Sequence, residues 1–172
     1  MSNFNFTRKL PSLERVREFV DYDPETGEFR WRQARRKSLI GTVIPKGSSG
    51  NYQRIKIGSV TYPAQRLAWL LGHGEDPGDL QVDHINRVRN DNRLVNLRLA
   101  DRSQQCWNTR RSSRNTSGYK GVSWNSQCGR WVAAIEARGH SKYLGLFDCP
   151  KEAHAAYCKA ATELHGEFAC PG

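Results

Sequence analysis

The segment 150–164 constrains this chain more than any other. Pro150 stands where a first helical residue belongs, and Glu152 falls in the first turn. Ala153, Ala156, Tyr157, Ala160, Ala161 and Leu164 recur at i, i+3, i+4, i+7 spacing. A helix whose inner face is mostly alanine lets a sheet approach closely. Three short strand-like segments precede it, near 119–124, 130–137 and 142–147, separated by Gly129 and by Gly139-His140. Together they predict three short strands followed by a helix with a face that a sheet can approach. Residues 112–118 are small and polar with one arginine, the composition of a flexible linker. No internal repeat relates the two sides of that segment. The expected organisation is a module over 1–111, a linker over 112–118 and a second module over 119–172, each with a modest core.

The first module shows shorter signals. Ser12 is placed to cap a helix in which Leu13, Val16, Phe19 and Val20 recur, and Asp23-Pro24-Glu25-Thr26-Gly27 breaks it. Residues 28–32 alternate as a half-buried strand does, with Phe29 and Trp31 on one face. Residues 52–57 and 60–62 read as a hairpin through Gly58-Ser59. Ala64, Leu67, Ala68 and Leu71 give a helical face that stops at Gly72, with Trp69 assigned to the core. Residues 80–85 predict a strand, 86–95 a polar turn-prone connection and 102–111 a helix. The fold class is α+β.

Charge narrows the partner. The formal net charge is +10 and the pI near 9.7, which speaks of a polyanion and not of a fold. The excess is local, because residues 86–116 carry eight arginines against two aspartates. Arg89, Arg93, Arg110, Arg111 and Arg114 belong to that stretch and are candidate phosphate contacts. No apolar run approaches the ~20 residues of a membrane span, and the N-terminus lacks an apolar signal core, so the expectation is a soluble intracellular protein with no membrane partner. Five cysteines show no C-x-x-C pair. They read as free thiols with Cys158 buried, and no structural zinc is expected.

The chemistry concentrates in 82–108. Val82-Asp83-His84-Ile85-Asn86 is followed by Asp91-Asn92, by Asn96-Leu97-Arg98, and by Gln105 and Asn108. Hydrolysing a phosphodiester needs a deprotonated water, neutralised charge at phosphorus and a stabilised leaving oxygen. Histidine suits the base, since its ordinary pKa of ~6.5 leaves neutral imidazole near neutral pH. Asp83 offers a hard oxygen to magnesium or manganese, and a side-chain amide can offer another. Neighbours on a flat strand point to opposite faces, so the chain is expected to turn just after Asp83.

These residues, with Asp91-Asn92-Arg93-Leu94, Asn96-Leu97-Arg98-Leu99-Ala100 and Ser103-Gln104-Gln105, resemble the H-N-H nucleases, specifically phage-type homing endonucleases with a ββα-metal site. The resemblance extends upstream through 22–27 and Arg66-Leu67-Ala68-Trp69, over roughly 12–111. It implies Asp83 as ligand of one divalent metal ion, His84 as the base that activates water, and Asn96 as the residue that shapes the histidine loop. It implies Gln105 as second ligand, where the family usually has Asn or His, with Asn108 as reserve. Gln65 stands where many relatives have His.

The second module resembles the APETALA2/ethylene-response-factor DNA-binding domain through Ser117-Gly118-Tyr119-Lys120-Gly121-Val122, Gly129-Arg130-Trp131 and Leu144-Gly145-Leu146-Phe147-Asp148. It implies a three-stranded antiparallel sheet packed on one helix and laid in the major groove of double-stranded DNA, with Lys120, Ser123, Asn125, Ala134, Glu136, Ser141 and Tyr143 at contact positions. Arg138 and Lys142 add charge there, and Trp131 is assigned to packing. The two resemblances imply a metal-dependent DNA endonuclease, of homing type or used in restriction or packaging, in the cytoplasm of a phage-infected or bacterial cell. One site per chain favours a nicking monomer, with a dimer that cuts both strands as the alternative. The competing reading is a DNA-binding regulator with a decayed nuclease centre, motivated by Gln105 and Gln65.

Overall fold

The computed structural model describes residues 9–47, 51–109, 111–137 and 139–170. The chain forms two compact units, 1–101 and 102–172. In the first, α1 (Leu13–Phe19) is capped by Ser12, whose Oγ accepts from the Arg15 N–H at 3.2 Å. Val20, expected to close the helix, instead opens β1 (Val20–Asp23), which pairs antiparallel with β2 (Glu28–Trp31). The side chain of Asp23 closes that hairpin, accepting from the Glu25 N–H at 2.9 Å and the Thr26 hydroxyl at 2.8 Å. Register with Trp31 and a β-branched side chain outweigh the helical spacing of Val20.

β3 (Arg54–Ile57) and β4 (Val60–Pro63) form the expected hairpin. α2 (Ala64–His73) passes Gly72 and ends on Gly74, which takes the left-handed conformation at φ 79°. β5 (Gln81–His84) pairs antiparallel with β6 (Leu97–Ala100), a strand that no separate pattern in the sequence announces. Val16, Val20, Phe29, Ile55, Leu67 and Ala68 form a fully buried core, and Trp69 packs against it half-buried.

The second unit begins with α3 (Arg102–Trp107), shorter than the helix expected over 102–111. Lys120 Nζ donates to the carbonyls of Trp107 at 2.9 Å and Thr109 at 2.7 Å, satisfying backbone groups that a longer helix would have used itself. The Trp107 ring stacks on His165 with centroids 4.4 Å apart. Residues 112–118, expected as a linker, form a hydrogen-bonded turn: Asn115 Nδ2 donates to Tyr119 O at 2.9 Å and Ser117 Oγ to Val122 O at 2.8 Å. Small polar residues suit a linker and a tightly pinned turn equally, and composition does not separate the two.

β7 (Val122–Asn125), β8 (Arg130–Ala137) and β9 (His140–Phe147) make an antiparallel sheet in that order, with a bulge between Ala133 and Ala134. It packs on α4 (Pro150–His165) through buried Ala153, Tyr157, Ala160 and Ala161. The alanine face is as predicted except at its end. Leu164 is exposed, and His165 takes the last inward position. The five cysteines are free; Cys158 is half-buried and it is Cys170 that is buried. No described helix is long and apolar enough to cross a membrane.

One close approach ties the β1–β2 hairpin to the loop that follows β5. Gly27 has φ +68°, and a Cβ there would stand 2.5 Å from Arg93 N and 2.6 Å from Asn92 C, while the Leu94 N–H donates to Pro24 O at 2.9 Å. Gly27→Ala is therefore expected to destabilise the protein by about 1–3 kcal/mol, read as a lower urea midpoint at unchanged slope.

Candidate active site

β5 runs through His84, so the turn expected after Asp83 begins one residue later. Arg87, left-handed at φ 64°, donates its N–H to His84 O at 2.9 Å, and the Ile85 N–H donates to Asn96 O at 2.9 Å. Asn96 is buried and clamps the loop from both ends. Its Oδ1 accepts from the Asn86 N–H at 3.0 Å, and its Nδ2 donates to Asn86 Oδ1 at 3.0 Å and to Asp91 O at 2.8 Å. Asp91 accepts from Arg93 Nη2 at 2.6 Å and Nε at 2.8 Å, and from Asn86 Nδ2 at 2.6 Å. The Arg93 bonds, against a smaller effect of burial and with help from Asn86, hold its carboxyl down at about 2.

His84 is only 3% exposed, and its Nε2 lies 3.1 Å from Asn92 Oδ1. Asn92, wholly buried, donates through Nδ2 to Gln53 Oε1 at 2.8 Å. Gln53 Nε2 in turn donates to the carbonyls of Ile44 at 3.1 Å and Pro45 at 3.2 Å. The Tyr52 ring lies 6.0 Å from the imidazole, with the Arg89 guanidinium 5.1 Å from the Tyr52 ring centre. Burial pushes the His84 pKa below its ordinary value, partly opposed by the Asn92 bond and by the charges of Asp83 and Asp91. Asp83 faces Arg98, its cross-strand partner, which donates to Asp83 Oδ2 through Nη2 at 3.2 Å and Nε at 3.3 Å. Gln105, half-buried on α3, and Asn108, buried just beyond it, belong to the second unit. Gln65 is buried on α2, with no hydrogen bond to its Oε1 among the described residues.

In the second unit, strand register sorts the predicted contact residues. Ser123 pairs with Val132, Ala134 with Tyr143 and Glu136 with Ser141, which puts these predicted residues on one face of the sheet. Ser123, Glu136, Ser141 and Tyr143 are exposed there. Lys142 pairs with Ile135 and so lies at the opposite parity. Lys120 is engaged with the backbone carbonyls after α3, and Asn125 Oδ1 caps the following turn, accepting from the Gln127 N–H at 2.9 Å. Trp131 packs half-buried as assigned, while Trp124 stands edge-on to it, 4.9 Å away and half exposed. Arg111 and Arg114 are exposed; Arg110 and Arg138 lie outside the described residues.

Residues 62–105 match the profile of the HNH endonuclease, and residues 117–167 that of the AP2 domain. Protein 3.8 of Escherichia phage T7 is 34% identical over 101 residues, which are 59% of this chain and 83% of that protein. The chain belongs to the HNH endonuclease family. A second HNH relative, an uncharacterized endonuclease of Acanthamoeba polyphaga mimivirus, is 33% identical over 102 residues. These are 59% of this chain and 52% of that protein, so the chain spans about half that relative's length. No solved structure matches the chain.

HNH nucleases generally use a divalent metal ion. Among the described residues no group of three or more His, Cys, Asp or Glu is placed to hold one. Asp83, the carboxylate beside His84 on β5, is a hard oxygen donor of the kind such an ion takes when water and substrate phosphate complete its shell.

Three partners of the HNH centre escaped sequence reasoning: Arg98 beside Asp83, Gln53 behind Asn92, and Tyr22, whose hydroxyl donates to Asn92 O at 2.7 Å. Gln53 carried a readable signal, since it stands just before β3 at the same parity as the inward Ile55 and Ile57 and is itself buried. The loop also has an acid dependence. The Asp91 carboxyl is held at about 2 against an ordinary 3.8, so its pairing stabilises the fold fully above about pH 4 and is lost as pH falls towards 2. In urea unfolding, wild type should exceed Asp91→Asn in stability at pH 6, with the gap closing between pH 4 and pH 2.

Proposed function

We propose that this protein is a metal-dependent DNA endonuclease, of homing type, in which His84 is the general base and the AP2 sheet holds the enzyme on double-stranded DNA. The observation that carries the reading is the state of His84. Its imidazole is buried, fixed by Asn92, and biased by burial toward the neutral form that can accept a proton. A hard divalent ion held by Asp83 would, when bound, neutralise charge on the phosphoryl oxygens and on the leaving oxygen.

The steps belonging to this chain follow from there. His84 takes a proton from water, the water oxygen attacks phosphorus, and the bond from phosphorus to the 3′ oxygen breaks; that oxygen takes up a proton from solvent, leaving 3′-hydroxyl and 5′-phosphate ends. Arg98 keeps the Asp83 carboxylate oriented. Asn96 keeps the 86–91 loop folded, so that the imidazole is presented in one position. Arg89, Arg93, Arg111 and Arg114 are exposed cations suited to backbone phosphates. On the second unit the face bearing Ser123, Glu136, Ser141 and Tyr143 would read base edges, since alternate side chains of a strand point into the groove together.

The test is cleavage of double-stranded DNA carrying a candidate site, with magnesium, with and without chelator. Wild type should cut only with free metal, and His84→Ala should lose roughly 100- to 10,000-fold in rate while still binding DNA. Equal cleavage by the two proteins would remove His84 from the role. Tight, salt-sensitive binding with no cleavage by wild type would instead favour a DNA-binding regulator.

A further inference from the structure

The acceptor and donor inventory behind His84 admits one solution. The carbonyl oxygens of Ile44 and Pro45 can only accept, so the group of Gln53 that faces them at 3.1 and 3.2 Å is its NH₂. That orientation turns Gln53 Oε1 toward Asn92, 2.8 Å away, and an oxygen there requires the Asn92 NH₂. Asn92 Oδ1 is then left to face the imidazole at 3.1 Å, and two acceptors cannot share that contact, so His84 Nε2 carries a hydrogen and donates it. Gln53 is 2% exposed and Asn92 0%, so no water is at hand to let either amide turn over. The direction is therefore set at two backbone carbonyls and transmitted through two side-chain amides to the ring.

We infer that Gln53 and Asn92 are positioning residues which lock neutral His84 in the Nε2–H tautomer and so make Nδ1 the nitrogen that accepts the proton in the reaction. This deepens the proposed function and rests on His84 being the base. Gln53 lies outside the 62–105 match to the HNH profile, and among the described residues it reaches the centre through Asn92. A neutral imidazole can carry its proton on either nitrogen, and the bond accepted by Asn92 selects Nε2. A ring that spent part of its time as Nδ1–H would present a donor where the mechanism needs a lone pair.

The arrangement is tested on the full chain by two-bond ¹H–¹⁵N spectra of ¹⁵N-histidine-labelled protein without metal, at a pH where His84 is neutral. His84→Ala identifies the signals of this ring among the five histidines. Wild type should show the Nε2–H form alone. Gln53→Met, which keeps the side-chain length but releases Asn92, should show both tautomers, and in the cleavage assay its kcat should fall roughly 10- to 100-fold with KM changed less than about twofold. An Nδ1–H or mixed ring in wild type overturns the inference. So does a Gln53→Met protein that keeps the single tautomer, whatever its rate, or one that loses it at wild-type kcat. If Gln53→Met does not fold, the wild-type spectrum decides alone. Full cleavage by His84→Ala would overturn the assignment of the base, whereas the spectrum reports the lock independently of it.

Discussion

A side-chain amide out of reach of water must find partners for two donor hydrogens and an acceptor oxygen, or cost the fold the desolvation of each. In the first unit that demand falls on Asn92. Its Nδ2 reaches Gln53, its Oδ1 meets His84, and its backbone carbonyl accepts from the Tyr22 hydroxyl. Three stretches that are far apart in the chain, around 22, 53 and 84, are thereby brought to one residue. The Gly27 contact and the Leu94–Pro24 hydrogen bond enclose it from the hairpin side. Residues well upstream of β5 are thus part of what gives the histidine its surroundings.

The distribution of charge shows the same economy. Asp83, the carboxylate of the centre, is opposed across the strand pair by Arg98, and both side chains are largely buried. Burying the acid alone would be costly, and the arginine offsets that cost while leaving the pair beside the imidazole electrically balanced. Arg93 and Asp91 repeat the pairing at the surface of the loop, where solvent weakens it. Of the eight arginines counted from sequence between 86 and 116, Arg93 and Arg98 are thus paired within the fold.

The second unit was legible where small residues made its geometry inevitable. Ala153, Ala160 and Ala161 allow α4 to lie close on β8, and the helix and the three strand-like segments are readable from spacing, while the antiparallel sheet followed from the resemblance to the APETALA2 domain. The HNH motif was legible by spacing also, down to Asn96. What sequence could not give were matters decided by long-range partners. Val20 belongs to a strand because Trp31 pairs with it, α3 stops where Lys120 takes its carbonyls, and Lys120, assigned to DNA, has its ammonium occupied in doing so. Gln53 and Tyr22 act through Asn92 over separations of 39 and 70 residues, and no local pattern encodes such distances.

Those separations bear on the order in which the molecule is made. Contacts between residues far apart in sequence form late, since closing a long loop costs entropy before any contact rewards it. The hydrogen bond from Tyr22 to Asn92 spans 70 residues, so it cannot form until nearly all of the first unit has been synthesised. During synthesis the chain therefore carries its histidine for some time without the surroundings that fix it. The HNH centre thus comes into existence only with completion of the fold around it.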